Sequence, residues 1–462
     1  MTKQVTVIPV QKGKSYKVEV TGLGHSGEGV GRYEGFTVFV PGALPGETVV
    51  AAITEVKKNY AKGVLSKVLM PSPDRVEPLC ALFHRCGGCQ LQHLSYAAQL
   101  TVKRQQVVDA IMRIGKLDGV VVHPTLPAPN PWYYRNKMQF PVGLAGNRAV
   151  VGCYAQGTHD IVDTEHCYIQ HQANNIIAAV MRDVVNKLGI ATYDERTGKG
   201  VIRHILGRVG TATGEVMAVI VTATRELPHR ERLIAKLTKA VPGLVSIVQN
   251  INPKRTNVIL GEETSVIWGK ETITDRLGGF VFQISARSFF QVNTEQTVRL
   301  YNKAVEYAGL TGVETAIDAY CGTGTITLFL AKRAAKVYGI EVVEPAVRDA
   351  WLNARRNGVD NVDFIVGDAV DVMPKLYKSG VRPQAIVVDP PRAGCDRRVL
   401  ETFVRMQPDR IVYVSCNPAS LARDLAVLAE CGYMTREIQP VDMFPQTSHI
   451  ECVVSLKRKH SE

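Results

Sequence analysis

The sequence lacks any stretch that is apolar for long enough to span a lipid bilayer. Its first twenty residues, MTKQVTVIPVQKGKSYKVEV, also lack the apolar segment of a secretory signal peptide. We therefore expect a cytoplasmic protein with no membrane partner. In that compartment its ten cysteines are not expected to form disulfides, so they are read as buried small side chains, metal ligands or nucleophiles.

Acidic residues are in deficit: 43 aspartates and glutamates face 55 lysines and arginines, which gives a formal charge of +12. Such a surplus favours a polyanionic partner such as RNA, because neutralised phosphates release counterions. The alternative is a protein that is merely basic. The composition is that of a globular protein, and a length of 462 residues predicts two or three domains.

Residues 1–70 are predicted to form a small β-barrel. Residues 16–20 alternate at period two, and short apolar runs follow at 36–40, 47–53 and 61–68, with glycine- and proline-rich turns between them. Four or five such strands are typical of oligonucleotide-binding barrels. The segment resembles the TRAM module, an RNA-binding barrel attached to RNA-modifying enzymes. A barrel with a purely structural role is the alternative.

Residues 71–285 are predicted to form a mixed α+β central domain. It begins with a linker at 71–74 and a cysteine-rich segment at 80–89. Apolar residues at helical spacing predict a helix over 92–115, which is a candidate to pack on the catalytic domain despite its place in the sequence. The run Val216–Thr222 predicts a buried strand.

Residues 286–462 are predicted to form the catalytic domain. Strands are expected at 316–320, 337–341, 363–366, 385–389 and 411–415, with helical stretches between them and a last strand at 452–456. This alternation predicts a doubly wound parallel sheet, whose ligands bind at the carboxyl ends of the strands. The final residues, 457–462, are expected to fray.

A glycine-rich turn follows the first of these strands. It reads Asp-Ala-Tyr-Cys-Gly-Thr-Gly over 318–324, and Gly322 allows the backbone to approach a ligand closely. Glu341 ends the next strand, where a carboxylate suits a ribose diol. The three spaced glycines of an NAD site are absent. The pattern resembles class I S-adenosylmethionine methyltransferases, and a Rossmann-like domain for another nucleotide is the alternative.

The expected fold class is therefore α/β: a Rossmann-like class I methyltransferase domain behind a TRAM-like barrel and an α+β central domain. Asp389 ends the fourth strand and begins the motif Asp-Pro-Pro-Arg. A diproline makes a rigid turn at the sheet edge, where methyl donor and acceptor meet. Similar motifs occur in many nucleic-acid methyltransferases, although a diproline is otherwise a generic turn.

Cys416 lies where the fifth strand enters a helix, in the motif Ser-Cys-Asn-Pro. A helix N-terminus stabilises a thiolate, so we expect an activated nucleophile at the edge that holds the cofactor. Carbon 5 of uracil is too weak a nucleophile to take a methyl group directly, and thiolate addition at carbon 6 activates it. The chemistry then needs a base, and Glu451 is placed near the same strand end. Taken singly, Cys416 would be a core thiol and Glu451 a solvated carboxylate.

Several motifs together resemble the bacterial uracil-5 RNA methyltransferases, over nearly the whole chain. They are Ser-Cys-Asn-Pro at 415–418 with Leu-Ala-Arg-Asp at 421–424, Met-Phe-Pro at 443–445 with Thr447, His449 and Glu451, and Phe-Gln-Val-Asn at 290–293. The resemblance implies that Cys416 is the nucleophile and Glu451 the base. It also implies S-adenosylmethionine contacts at Gln291, Tyr320, Glu341 and Asp389.

The cysteines of the central domain are candidate metal ligands. Cys80, Cys86 and Cys89 are spaced Cys-x5-Cys-x2-Cys, and Cys167 is a distant fourth. Four thiolates suit zinc or an iron–sulfur cluster, and the single Cys-x2-Cys pair favours a cluster because zinc sites usually show two pairs. The rRNA members of the family resembled here carry a [4Fe-4S] cluster on this spacing. Cys153 falls outside the pattern and is interpreted as a core thiol.

The predicted function is methylation of carbon 5 of uridine in 23S rRNA, by a protein expected to be monomeric. The tRNA enzymes of the family generally lack the TRAM module and the cluster cysteines, but a tRNA substrate stays open, as does the identity of the uridine. A non-catalytic RNA-binding or ribosome-assembly factor is a rival that the presence of both Cys416 and Glu451 disfavours. An amino or DNA methyltransferase is another, since it would need the Asp389 motif but no cysteine.

Overall fold

A computed structural model describes residues 8–459 and contains the predicted barrel. Its five strands are β1 (Ser15–Leu23), β2 (Gly29–Tyr33), β3 (Phe36–Val40), β4 (Thr48–Val56) and β5 (Tyr60–Met70). They close in the order β1-β2-β3-β5-β4 around buried valines, which confirms the predicted fold of this part. Strand β2 was interpreted as a turn because glycines dominate it. Gly31 allows β1 and β2 to approach each other closely, since a Cβ on Gly31 would lie 2.4 Å from the Glu19 carbonyl oxygen.

The helix predicted over 92–115 begins later and ends differently. Helix α1 spans Tyr96–Ala110 and continues as one π-helical turn, Ile111–Gly115. It begins at Tyr96 because the Ser95 hydroxyl accepts a hydrogen bond from the Ala98 amide at 3.4 Å. A two-residue strand, β6 (Val121–Val122), follows it.

The central domain is a seven-stranded sheet covered by two helices, α2 (Gln172–Leu188) and α3 (Arg230–Ala240). Its strands, in the order β13-β12-β11-β10-β7-β8-β9, are β7 (Lys137–Ala145), β8 (Arg148–Tyr154), β9 (Ile161–Asp163), β10 (Ile202–Val209), β11 (Val216–Thr222), β12 (Leu244–Ile251) and β13 (Glu263–Gly269). Strand β11 has the predicted bounds and is buried throughout. A hairpin, β14 (Ile273–Leu277) and β15 (Phe280–Ile284), leads into the catalytic domain.

The catalytic domain is the predicted Rossmann-like sheet, in the order β18-β17-β16-β19-β20-β22-β21-β6. Its helices are α4 (Thr294–Ala308), α5 (Thr325–Ala331), α6 (Glu344–Arg356), α7 (Ala369–Lys378), α8 (Arg397–Arg405) and α9 (Pro418–Glu430). Its strands are β16 (Thr315–Asp318), β17 (Lys336–Glu341), β18 (Val362–Val366), β19 (Ala385–Val388), β20 (Arg410–Ser415), β21 (Tyr433–Val441) and β22 (Glu451–Arg458). Apolar cores fill both faces.

Two features of this sheet differ from the expectation. Strand β22 is antiparallel to both neighbours, β20 and β21, and the polar strand β21 was not predicted. Residues 457 and 458 belong to β22 and are not frayed, whereas 460–462 lie outside the described residues, as do 1–7 of the predicted barrel domain. Between residues 8 and 459, no helix combines the length and apolar character that crossing a membrane requires.

Helix α1 packs on the catalytic domain, although the central sheet separates the two in sequence. The Lys103 ammonium lies 2.6 Å from Asp442 Oδ1 and donates to the Phe444 carbonyl at 3.1 Å, and both charged side chains are fully buried. Val107 and Ile111 pack in the same apolar core as Leu421, and β6 pairs with β21. The stretch from α1 to β6 is thus part of the catalytic fold.

Replacing Lys103 with methionine should lower the free energy of unfolding by about 3–5 kcal/mol, because Asp442 then stays buried without its cation. Replacing Lys187 in the same way is the control, since its partner Asp183 is exposed and such pairs contribute at most about 1 kcal/mol. Denaturant unfolding followed by circular dichroism measures both. Equal losses of unfolding free energy for the two variants would show that the buried Lys103–Asp442 pair stabilises the fold no more than an exposed pair does.

Candidate active site

The glycine-rich turn after β16 leaves open space at the edge of the sheet. Gly322 has a φ of 53°, and a Cβ built there would have no heavy atom within 4 Å. Gly324, with a φ of 81°, begins α5, and its Cβ would lie 2.9 Å from Phe364, so this glycine serves packing. The turn therefore offers backbone to a ligand at Gly322, as predicted for a cofactor site.

Glu341 lies at the tip of β17, beside that turn. One carboxylate oxygen accepts from the Gly322 amide at 3.1 Å and the other from the Val343 amide at 2.9 Å. Because a carboxylate has about four acceptor positions, each oxygen keeps room for a further donor such as a ribose hydroxyl. The same bonds fix the shape of the turn.

Asp318 belongs to this site, although it was not among the predicted site residues. It is fully buried at the end of β16, where Oδ2 accepts from the Thr327 hydroxyl at 2.7 Å. Its Oδ1 has no partner among the described residues. Burial, together with the nearby Asp389 and Glu341 carboxyls, raises the pKa of Asp318 to about 7. In the sequence, the position of this aspartate at the end of a predicted strand could have identified it as a site residue.

The other predicted cofactor residues lie along the same edge. The Gln291 side chain reaches the hydroxyl of the buried Tyr301, which lies 3.2 Å from the Thr325 hydroxyl and within electrostatic reach of Asp389. Tyr320 lies two residues after the end of β16, and its hydroxyl faces Cys395. The unpartnered Asp318 Oδ1 and the open space at Gly322 fit a cofactor that carries hydroxyl and amino donors.

Cys416 and Glu451 come together at the ends of two neighbouring strands. Strands β20 and β22 pair antiparallel with Ser415 opposite Cys452, and the same register continued by one residue places Cys416 opposite Glu451. Glu451 is 5% exposed. Asp389, at the end of the adjacent β19, raises the pKa of both side chains, so the three groups share one site.

The electrostatics of this group differ from the expectation that a helix N-terminus activates the thiol. Burial, and then the Glu451 and Asp389 carboxylates, raise the pKa of Cys416 to about 11, while Arg392 opposes them. Helix α9 begins only at Pro418, which has no amide hydrogen to offer the sulfur. Burial likewise raises the pKa of Glu451 well above its usual range and that of Asp389 to about 6.

Residues 443–450, which we call the catalytic loop, connect β21 to Glu451 and are held from several sides. The Gln446 carbonyl accepts from the Gln90 and Leu91 amides, each at 3.0 Å, and the Gln446 amide donates to Gln99 Oε1 at 3.0 Å. Tyr134 donates to the Pro445 carbonyl at 3.0 Å. The loop is thus tied to helix α1, the cysteine segment and the central domain.

His449, in that loop, is a neutral imidazole at physiological pH. Burial lowers its pKa to about 4, and the positive charges of Arg392, Lys103, His25 and Arg135 act in the same direction. These groups come from the barrel, helix α1, the central domain and the catalytic domain. The site beside Glu451 is therefore assembled from every part of the chain.

The four predicted cluster cysteines line one cavity of about 360 Å³, between the cysteine segment and the central sheet. The same cavity is also lined by Arg392, Phe444, Thr447 and His449. Cys153 packs against the central core as expected, but it also lines the cavity, and its hydrogen bond to Cys86 lowers the pKa of that thiol to about 7. Gly87 allows the close approach of the two segments, since a Cβ there would lie 3.0 Å from the Tyr154 carbonyl oxygen.

The donor set of this cavity suits a cluster of soft metal ions, although its present geometry is not that of a formed centre. Within residues 8–459, no three or more Cys, His, Asp or Glu side chains are arranged to hold a single metal ion. Burial raises the pKa of Cys89 to about 12 and that of Cys167 to about 11. Thiols of this kind are deprotonated only with a cation at the site.

Aromatic and cationic side chains around this cavity were missed in the sequence. Tyr133, His166 and Tyr168 pack with ring centroids 4.7–6.3 Å apart, and Trp132 contacts Tyr168 at 6.4 Å. The cavity itself is lined by Arg135 and Lys137 as well as Tyr168. The Trp-Tyr-Tyr-Arg run at 132–135 was a possible signal, because interleaved aromatic and basic residues are typical of RNA contacts.

Two family models match the chain. Residues 245–459 match the family described as tRNA (uracil-5-)-methyltransferase, and residues 9–65 match the TRAM domain. The chain is 52% identical to an uncharacterized RNA methyltransferase of Halalkalibacterium halodurans over all of both chains. It is 50% identical to one of Clostridium tetani over 97% of each chain.

A solved structure agrees with these matches. The crystal structure of Pyrococcus abyssi tRNA (uracil-54, C5)-methyltransferase with S-adenosyl-L-homocysteine superposes with a TM-score of 0.76, at 30% identity, over 95% of this chain and 99% of that one. The predicted fold class and the prediction of an S-adenosylmethionine-dependent RNA methyltransferase are therefore confirmed. The chain belongs to the RNA (uracil-5-)-methyltransferase family and carries a TRAM domain in front of its catalytic domain.

Proposed function

We propose that the protein methylates carbon 5 of uridine in 23S rRNA through a covalent adduct between the base and Cys416. The observation that carries this proposal is the register of β20 and β22, whose last pair, Ser415 with Cys452, brings Cys416 next to Glu451, so that the Glu451 carboxylate raises the pKa of Cys416. It puts a nucleophile and a base side by side at the edge formed by Gly322, Glu341 and Asp389. A methyltransferase that acts on an amino nitrogen has no use for that pair, because the nitrogen attacks the methyl group directly.

The first step is attack by Cys416 on carbon 6 of uracil. Its pKa of about 11 makes the resting group a thiol, so the sulfur must lose its proton when the base is seated. Asp389, with a pKa of about 6, is largely ionised at neutral pH and is the neighbouring carboxylate able to accept that proton. The new sulfur–carbon bond moves the ring electrons towards carbon 5 and makes it a nucleophile.

The Gly322 turn, Glu341, Gln291 and Tyr320 would hold S-adenosylmethionine, which when bound would supply an electrophilic methyl group to carbon 5 and leave as S-adenosylhomocysteine. Carbon 5 then carries both a hydrogen and a methyl group. Glu451 removes the hydrogen as a proton, and the electrons left behind expel the sulfur and restore the ring double bond. Because burial raises the pKa of Glu451, its carboxylate is a stronger base than an exposed one.

The side chains around the cavity support an RNA strand on the central domain. A target uridine must leave its stack to reach Cys416, and its neighbours must be held apart. Tyr133, His166 and Tyr168 offer rings on which bases stack, while Arg135 offers charge to phosphates. Single-stranded loops of a large RNA suit such a surface.

The choice of 23S rRNA depends on the cysteines, which follow the spacing of the rRNA enzymes that the sequence resembles. A tRNA substrate is the second candidate, because the Pyrococcus abyssi tRNA enzyme shares the architecture over nearly the whole chain. That likeness means that the barrel alone does not select rRNA over tRNA. The cysteines Cys80, Cys86, Cys89 and Cys167 remain the feature that favours rRNA.

We also propose that these four cysteines hold a [4Fe-4S] cluster. They converge on one cavity from two segments of the chain, and four thiolates are the ligand set of such a cluster. Bound there, the cluster would join the segment 80–89 to the central sheet, next to the amides of Gln90 and Leu91 that hold the catalytic loop. Its role would be to fix the position of residues 80–89 relative to the central sheet.

Glu451→Gln should stall the reaction after methyl transfer, because the side chain keeps its shape but no longer takes the proton. Loss of a general base costs about 10² to 10⁴ in rate, so RNA should stay attached to Cys416 long enough for a denaturing gel. The expected result is a protein–RNA band that carries label from the methyl group and vanishes when Cys416→Ala is added. The Cys416→Ala variant should bind S-adenosylmethionine nearly as the parent does.

Normal turnover by Glu451→Gln would show that another group is the base, with His449 the next to test. Substantial methylation by Cys416→Ala would exclude the covalent route altogether.

Deleting the gene should remove 5-methyluridine from one or two positions of 23S rRNA and leave tRNA unchanged. Mapping the modified base in both RNAs by mass spectrometry measures this directly. Loss of the base from tRNA alone would favour the second candidate, and the parent protein but not Cys416→Ala should restore whichever site is lost.

Protein purified without oxygen should be brown and contain about four irons and four sulfides per chain. Cys89→Ser should lose most of the iron, whereas Cys431→Ser should not, because Cys431 lies at the end of α9, away from the cavity. Iron analysis and the visible spectrum serve as readouts that do not depend on activity. Stoichiometric zinc without iron would contradict the proposal.

A further inference from the structure

The barrel touches the catalytic loop through one turn, residues 24–28, between β1 and β2. Gly27 is buried there with a φ of 84°. A Cβ on Gly27 would lie 2.9 Å from Gln90 Cβ, 3.4 Å from Ser448 Cβ and 3.5 Å from Leu91 Cδ2. Ser448 belongs to the catalytic loop, so the turn is in direct contact with it.

The turn is fixed on both of its sides. Its Gly24 amide donates to the Glu28 carbonyl at 2.7 Å, and Ser26 donates to the Glu28 carboxylate at 2.9 Å. From outside the barrel, Gln106 on helix α1 donates to the Gly24 carbonyl at 3.2 Å. The turn therefore has one shape and one position relative to α1.

The barrel as a whole is also held in place. Glu47 is 1% exposed, and its carboxylate accepts from Arg75, which follows the linker, at 2.6 Å and from the Leu44 amide at 2.8 Å. This ion pair resists rotation of the barrel, because separating the charges would leave the buried Glu47 carboxylate unpaired.

Gln90 and Leu91 form the layer between the turn and the catalytic loop. Their amides donate to the Gln446 carbonyl, and Gln90 Oε1 accepts from the Ser448 amide at 3.3 Å. Gln446 has a φ of 70°, a left-handed conformation that costs a residue other than glycine roughly 1–3 kcal/mol unless its surroundings hold it. Without the turn, this layer would face water on its outer side.

We propose that the barrel turn is a positioning element of the catalytic loop, and that it sets the placement of His449 and Glu451 through Gln90 and Leu91. The proposal depends on the proposed function only in taking Glu451 as a reacting group. It gives the barrel a second task, distinct from the capture of RNA phosphates. A barrel that only captures RNA would change affinity and its salt dependence without changing the loop.

Two glycines of the barrel form a matched pair for the test. Gly13 has the same φ as Gly27, 84°, but a Cβ on it would meet no heavy atom within 4 Å. Alanine at either position carries the same backbone strain, and only Gly27→Ala presses on Gln90. The difference between the two variants isolates the contact.

Gly27→Ala should raise the hydrogen exchange of amides 444 and 446–450 about tenfold relative to Gly13→Ala, because the loop opens more often. Misplacement of Glu451 should lower kcat by up to about 10²-fold. RNA affinity and its salt slope should match in the two variants. Exchange rates that do not differ between them would overturn the proposal, as would a loss of RNA affinity with an unchanged loop.

A second pair covers the case in which Gly27→Ala unfolds the barrel. Gln106→Met removes the bond to the Gly24 carbonyl, while Gln105→Met removes a bond to the exposed Asp109 on the same helix. Only Gln106→Met should speed exchange in the loop and lower kcat. Exchange is measured without turnover, so this result is separate from the Cys416 and Glu451 tests of the proposed function.

Discussion

The antiparallel register between β20 and β22 is the constraint on which the active site depends. Successive residues of a strand point to opposite faces, so a slip of one residue would turn Glu451 away from Cys416 and bring Cys452, now buried, to its place. Both strands are apolar between their ends and are packed on two sides, which makes such a slip costly. The hydrophobic pattern that folds the sheet is thus also what aligns the chemistry.

That alignment brings like charges together in a buried place. Asp389 raises the pKa of both Asp318 and Glu451, and Arg392 lowers that of Glu451. A carboxyl that is held partly neutral costs less to bury, and it becomes a strong base once ionised. The same burial favours the thiol form of Cys416, and thiols are less readily oxidised than thiolates.

The sequence reveals those parts of the structure that depend on local patterns. The buried strands β11, β16 to β20 and β22 were visible as apolar runs, and the residues at their ends then followed from the rule for parallel sheets. Strand β21 was missed because polar residues alternate along it and it is recognised only by its pairing with β22. The raised pKa of Cys416 was missed for a related reason, since the carboxylates that cause it come from other strands.

Contacts between distant segments lie beyond such reasoning. Lys103 and Asp442 are 339 residues apart, and no local pattern around either residue predicts that they form an ion pair. Gln99 and Gln446 are 347 apart, yet they exchange two hydrogen bonds that hold the catalytic loop. Helix α1, the cysteine segment and the barrel all contact the loop that leads to Glu451. On the proposed function, we infer that methyl transfer depends on the docking of all three and not on the catalytic domain alone.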